Sequence, residues 1–198
     1  MSSAAQWNSR YAAASVWSGA VNATLAERAS ALEPGTALDV GCGEGGDAVW
    51  LASQGWRVRG VDFSGEALSR ASAAADQAGV SGQCSWIQAD LSVWTTNHAY
   101  DLVTCHFLHE EFAVRGRAWQ SAAAAVAPGG MLLIVGHSPE EPAGVPGPPL
   151  DARFSEQQVV DALALSSRWQ VDSRTEERLS ASATRLDVVV TATRLDNE

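Results

Sequence analysis

The chain has no apolar run near the ~20 residues needed to span a bilayer, so no membrane helix is expected. Its start, MSSAAQWNSRYAAAS, has no basic stretch followed by a long apolar one, and no secretory leader is read there. Cysteine is scarce and unpatterned. Cys42, Cys84 and Cys105 are odd in number and form no C-x-x-C, which excludes a zinc ribbon and argues against a disulfide framework. A reducing, cytoplasmic setting is expected. Positive charge is also short: 13 Lys and Arg face 23 Asp and Glu, for a formal net charge of -10. Such a field repels phosphate backbones, so nucleic acid is a poor partner. No internal repeat is present. What remains is a globular composition, 46% hydrophobic and 18% charged over 198 residues, enough for one domain with a sizeable core.

Strand-like and helix-like segments alternate along the chain. TALDV, WRVRGVD, CSWIQAD, YDLVTCHF and GGMLLIVGH read as strands, the last apolar on both faces as in a central parallel strand. Helices are expected at Asp47–Gln54, after a Ser64 cap, over Trp119–Ala127 and at Ser155–Ala164. The alternation predicts an α/β fold, a parallel sheet covered on both faces. The tail departs from it. WQVDSRTEER and ATRLDVVVTATR read as two strands joined by a short turn, which forces antiparallel pairing. PEEPAGVPGPPL, Pro139 to Leu150, is too rich in proline and glycine for regular structure. It reads either as a solvated surface loop or as a flap over a substrate.

The chemistry concentrates in ALDVGCGEGGDAVWLA. It holds G-x-G-x-x-G at Gly41, Gly43 and Gly46, the spacing of a dinucleotide loop. It also holds Asp39, Glu44 and Asp47. A diphosphate at the helix start would meet those acids, and two unit charges about 4 Å apart interact by ~4 kcal/mol at an effective dielectric near 20. A cation without phosphate suits the loop better.

Read as D-x-G-x-G-x-G through Asp39, Gly41, Gly43 and Gly45, the stretch resembles the first motif of the Rossmann-like, class I S-adenosylmethionine-dependent methyltransferases. GVDFS, IQADL, YDLVTCHFLHE and VAPGGMLLIV resemble the following motifs in order, covering roughly Thr36 to Val135. The resemblance implies a three-layer sandwich on a seven-stranded, mostly parallel sheet of order 3-2-1-4-5-7-6, closed by the antiparallel hairpin. It implies S-adenosylmethionine as cofactor and S-adenosylhomocysteine as product. Asp39, Gly41, Cys42, Gly43 and Glu44 would cradle the cofactor, and Asp62 would take the ribose hydroxyls. Phe63 would pack on adenine beside Ser64, and Ala89, Asp90 and Leu91 would meet the adenine edge. The backbone near Cys105 or His106 would receive the methionine ammonium. Asp101, which leads the fourth strand, is read as structural.

The N-terminal aromatics Trp7, Tyr11 and Trp17 pack the segment onto the domain or form a lid. As a lid, Tyr11 and Trp17 would offer ring faces to a sulfonium and Arg10 a fork for a carboxylate. With WLASQGWRVRGVDFSGEAL, this region looks like the small-molecule branch that includes the thiopurine and tellurite-resistance methyltransferases. His106 and His109 read as acid–base groups for an acceptor or as donors to nearby backbone. No metal is expected, because no second cluster completes a three-ligand site. His137 ends the fifth strand and faces the same way.

The reading is one methyltransferase domain for a small-molecule acceptor. Its parts are a lid segment (1–33), a cofactor core (34–138), a proline-rich loop (139–153) and a helix with the hairpin (154–198). Two rivals remain at this stage: a nicotinamide-dependent oxidoreductase, and a non-catalytic module that binds S-adenosylmethionine.

Overall fold

The computed structural model describes residues 8, 11, 19–141, 145, 148–179 and 184–196. Seven strands form one sheet: β1 (Thr36–Val40), β2 (Arg57–Asp62), β3 (Cys84–Gln88), β4 (Tyr100–His106), β5 (Val126–His137), β6 (Trp169–Leu179) and β7 (Thr184–Arg194). Their order is β3-β2-β1-β4-β5-β7-β6, as expected. β7 runs antiparallel between β5 and β6, and every other pairing is parallel. Between residues 19 and 179, five described α-helices cover the sheet: α1 (Ala23–Ala29), α2 (Gly46–Ser53), α3 (Gly65–Gln77), α4 (Phe112–Ala124) and α5 (Glu156–Leu163).

Side chains alternate across each strand, and the buried core splits accordingly into two layers. Leu38, Val103, Leu132 and Ile134 join Trp119, Phe154 and Val159 under α4 and α5. Ala37, Leu102, Leu133 and Val135 join Leu25, Leu51 and Trp56 under α1 and α2. Trp119 is wholly buried and meets Phe154 edge-on at 5.0 Å. Truncating it to alanine is worth about 3–5 kcal/mol.

Two helices differ from expectation. α2 starts one residue earlier than Asp47. α4 was expected over Trp119–Ala127 but begins seven residues earlier, at Phe112, and ends at Ala124. The reason is Arg115, a charged residue that is 1% exposed and breaks the apolar period. Its guanidinium donates to the carbonyls of Glu110, Asp151 and Arg153, stapling the start of α4 to the segment before α5. At the other end, Val126 already pairs with Tyr100, so the chain passes directly from helix to strand.

The topology places the functional edge. β1, β2, β4 and β5 are parallel, so Asp39, Asp62, His106 and His137 all sit at their carboxyl ends. β7 is antiparallel, and it brings Asp187 opposite His137 at that same edge. Arg178 follows, near the end of β6. Asp101 sits at the opposite end of the sheet, accepting from the Thr36 amide at 2.7 Å and the Thr36 hydroxyl at 2.8 Å, which is the structural role expected of it.

Candidate functional site

A cavity of about 460 Å³ opens at the carboxyl edge, within the range of small-ligand sites. Its floor is the turn after β1. Gly41, Gly43 and Gly45 have φ of 77°, 51° and 79°, the left-handed region that suits glycine. Gly46 is instead the first residue of α2. The three glycines that the turn needs for their φ are therefore those of D-x-G-x-G-x-G. Gly45 is also tight: a Cβ there would lie 2.7 Å from the Ala71 Cβ on α3.

The loop's amides are largely occupied. Those of Gly41 and Cys42 donate to the Val61 carbonyl at 2.8 and 3.1 Å, and that of Gly45 to the Cys42 carbonyl at 2.9 Å. The Gly43 amide donates to Asp62 at 3.0 Å. A diphosphate would find few donors in this turn, and carboxylates around it.

Those carboxylates differ in what they do. Glu44 turns back to α3 and pairs with Arg70 at 3.1 Å. Asp62, at the end of β2, accepts from Gly43 and from the Ser64 amide at 2.9 Å. Burial pushes its carboxyl up, against the pull of those bonds. Asp47 accepts from the Asn22 amide at 2.7 Å through one oxygen and lies 2.7 Å from His106 Nδ1 through the other. Asp39 is 3% exposed. Its Oδ1 accepts from the Thr104 hydroxyl at 3.0 Å, and its Oδ2 is buried with no hydrogen-bond partner among the described residues. Burial first, and the charge of Asp47 second, raise its pKa from 3.8 to about 7. A buried carboxylate oxygen without a donor, beside a cavity, is a place for a cation.

The opposite wall comes from β4, β5 and the hairpin. His106, Phe107, His109, Glu110, His137, Arg178 and Leu179 reach the cavity. Phe107 has φ of 47°, a strained value for a side chain of its size. His109 stacks on His137 at 5.6 Å, and Phe107 lies 4.8 Å from His137 on a tilted plane. Arg178 sits over the Phe107 ring at 5.4 Å and pairs with Asp187. His137 Nδ1 lies 3.3 Å from the same aspartate. Burial pushes Asp187 up, but the bonds and charges of His137 and Arg178 outweigh it and hold the carboxyl below its usual range.

Most of the residues expected from the sequence meet here. Tyr11, Asp39, Gly41, Cys42, Gly43, Glu44, Asp62, Phe63, His106 and His109 line the cavity. Others lie off its walls. Ser64 is fully buried, caps α3 through the Ala67 amide and donates to Asn8 Oδ1 at 2.5 Å. Asp90 is exposed and accepts from the Ser92 amide at 2.9 Å; the Ser92 hydroxyl first, and that amide second, lower its pKa. Ala89 is half-buried, and Leu91 packs in the core. The Cys105 side chain is core as well, its thiol pushed up to about 12 chiefly by burial. Burial likewise raises Cys42, so neither thiol is poised as a nucleophile. Arg10, Trp7 and Trp17 lie outside the described residues. Residues 142–144, 146 and 147 of the proline-rich insert do too, so neither reading of that loop gains. Among the described residues no group of three His, Cys, Asp or Glu is arranged to hold a metal.

Several cavity residues were not singled out from the sequence. Gly19 to Ala23 roof the cavity, and a Cβ on Gly46 would lie 3.2 Å from the Gly19 carbonyl, so glycine there admits the roof. Phe107, Arg178 and Leu179 were missed as well. The only signal for them was proximity to a strand end.

Sheet order, closing hairpin and acid-flanked glycine turn together define the Rossmann-like fold of the class I methyltransferases. Residues 37–130, just under half of the chain, match the family model described as a methyltransferase domain. A ubiquinone biosynthesis O-methyltransferase of Burkholderia orbicola is 35% identical over 98 residues, 50% of this chain and 42% of the relative. A ribosomal RNA small subunit methyltransferase C of Alcanivorax borkumensis is 41% identical over 51 residues, 26% of this chain and 16% of the relative. The chain thus spans well under half of both relatives. Among solved structures, a SAM-dependent methyltransferase from Methanosarcina mazei superposes with a TM-score of 0.70 at 20% identity, covering 90% of this chain and all of that one. TehB from Haemophilus influenzae gives 0.69 at 16% identity, over 88% and 62%. A DhpI–SAH complex gives 0.69 at 19%, over 99% and 97%. At these identities the superpositions establish the fold.

Proposed function

We propose that this chain transfers a methyl group from S-adenosylmethionine to a small-molecule acceptor, releasing S-adenosylhomocysteine. The observation that carries the reading is Asp39: a buried carboxylate with an unpartnered oxygen, behind a glycine turn in which the amides of Gly41, Cys42, Gly43 and Gly45 are already in use. That donor set fits an adenosyl sulfonium with an ammonium tail and opposes a diphosphate.

In this reading Asp39 balances the positive end of the methionine group, and Gly41, Cys42 and Gly43 let it approach the backbone. Asp62 accepts from the ribose hydroxyls. Phe63 and Tyr11 hold the adenosine by apolar and ring contacts. Asp90, Leu91 and Ala89 take the adenine edge, the Cys105–His106 backbone takes the ammonium, and Arg10, Trp17 and Glu44 close the tail. When bound, the cofactor supplies an electrophilic methyl carbon on a good leaving group. The protein's part is to hold two reactants close and in line and to keep water out. His106 and His109 stand on the acceptor side, where either can take a proton.

Residues 1–33 would serve as the lid, 34–138 as the cofactor core, 139–153 as a loop beside the acceptor and 154–198 as the closing helix and hairpin. A net charge of -10 supports a small acceptor over nucleic acid, and three free cysteines support a cytoplasmic setting. The likeness to TehB supports the small-molecule branch.

The test is turnover. Purified protein with S-adenosylmethionine is offered a panel of thiols, phenols, amines and carboxylates, and S-adenosylhomocysteine is measured. Acceptor-dependent product is expected. Cofactor binding without turnover on any acceptor would favour a non-catalytic module. Tight NADH binding in place of S-adenosylhomocysteine would favour an oxidoreductase.

A further inference from the structure

Asp47 and His106 are 59 residues apart in sequence, on α2 and at the end of β4, yet Asp47 Oδ2 lies 2.7 Å from His106 Nδ1. The other oxygen, Oδ1, accepts from the Asn22 amide at 2.7 Å. Asn22 belongs to the roof and starts α1, with its own side chain accepting from Leu25. One carboxylate therefore touches the roof with one oxygen and the imidazole with the other. Since a carboxylate accepts, Nδ1 must carry the hydrogen, and in the neutral ring Nε2 then has the lone pair. Nε2 is buried and has no hydrogen-bond partner among the described residues, and the ring lines the cavity.

We infer that Asp47 is a positioning residue that fixes His106 as the Nδ1–H tautomer, aims its basic Nε2 at the acceptor, and ties that arrangement to the seating of the 19–22 roof. This rests on the methyltransferase reading and narrows its acceptor. A base held this way serves an acceptor that carries a proton to lose, a hydroxyl or a thiol. The hydrogen passes from the acceptor atom to Nε2 while that atom's electron pair bonds to the methyl carbon and the carbon–sulfur pair stays on sulfur. His109 stacks on His137 at 5.6 Å and is the lesser candidate.

The experiment is long-range proton–nitrogen NMR on the full chain labelled with ¹⁵N-histidine, with and without S-adenosylhomocysteine. The chain has four histidines, and His106→Gln assigns the one of interest. The wild type is expected to show His106 as Nδ1–H with an unprotonated Nε2. Asp47→Asn preserves the shape but presents an amide donor to Nδ1, so the Nε2–H form should replace it. Asn22 has φ of -62°, which suits proline. Asn22→Pro and Asn22→Ala both lose the cap, but the proline also loses the amide hydrogen. Only the proline variant should broaden or weaken the Nδ1–H signal. Methylation of phenol should fall at least ~10-fold in Asp47→Asn, and of 4-nitrophenol, which ionises far more readily, by less than about 3-fold. A wild-type Nε2–H tautomer, or a tautomer unchanged in Asp47→Asn, overturns the inference even if S-adenosylhomocysteine binds. Absence of that binding sinks the parent reading instead, and the apo spectra still decide the tautomer.

Discussion

The two walls of the cavity are built from opposite chemistry. The wall from β1, β2 and the roof is acidic: Asp39, Glu44, Asp47 and Asp62 surround a turn whose amides are largely in use. The wall from β4, β5 and the hairpin presents His106, His109, His137 and Arg178, with Phe107 between them and Glu110 as its one lining acid among the described residues. In the proposed reading one side holds a cation and the other meets the acceptor, where an imidazole can take its proton. A methyl sulfonium and its nucleophile are such a pair, and a site polarised this way orients both before any bond changes.

The sharpest way to break that contrast is Asp39→Asn, which removes the unpartnered buried charge. Removing one partner of a buried charge pair costs about 2–5 kcal/mol, so affinity for S-adenosylmethionine should fall roughly 30-fold or more by calorimetry. The same variant carries a stability signature. Asp39 titrates near 7 when folded and near 3.8 otherwise. Its protonated form thus favours folding at acid pH, and that advantage disappears as pH rises through 7. Without ligand, Asp39→Asn should melt above the wild type by more at pH 8 than at pH 5, and the gap should close only near pH 4. A variant less stable at both would show that the carboxylate is not strained by its burial.

Backbone packing gives the next comparison, one glycine from each wall. Gly45→Ala must place a Cβ 2.7 Å from Ala71 at φ of 79°, and Gly136→Ala must place one 2.3 Å from the Phe154 ring. Each should cost about 1–3 kcal/mol in denaturant melts. Only Gly45→Ala should also weaken S-adenosylhomocysteine binding, because in the proposed reading only that turn cradles the cofactor. On the other wall, Arg178→Ala should leave that binding within about 2-fold and raise the acceptor's KM instead, since a cation of this wall faces the acceptor. The smallest effect is expected at Glu44–Arg70. The Arg70 side chain is 34% exposed, and Arg70→Ala should change stability by less than about 1 kcal/mol.

The acidic wall was legible in the sequence; of the other, His106, His109 and His137 were legible, while Phe107 and Arg178 were not. Asp39, Gly41, Gly43 and Gly45 sit at fixed spacing because the tight turn itself dictates it, and Asp62 ends the next strand. Local geometry writes these residues into a short string. Arg178 and Asp187 join the site only because β7 inserts between β5 and β6, and that order depends on the whole sheet. Asp47 was read as a repulsive charge against phosphate, while its bond to His106 spans 59 residues that no local pattern connects. The early start of α4 was hidden because Arg115, buried under carbonyls and rings, looks from sequence like a solvent-facing residue.

The account's centre is that the acidic wall receives a cationic adenosyl group. Isothermal titration of the full chain with S-adenosylhomocysteine and, separately, with NADH tests it most directly. The prediction is saturable one-to-one binding of S-adenosylhomocysteine, weakened by Asp39→Asn, with no heat from NADH. Saturable NADH binding alongside silence from S-adenosylhomocysteine would contradict it.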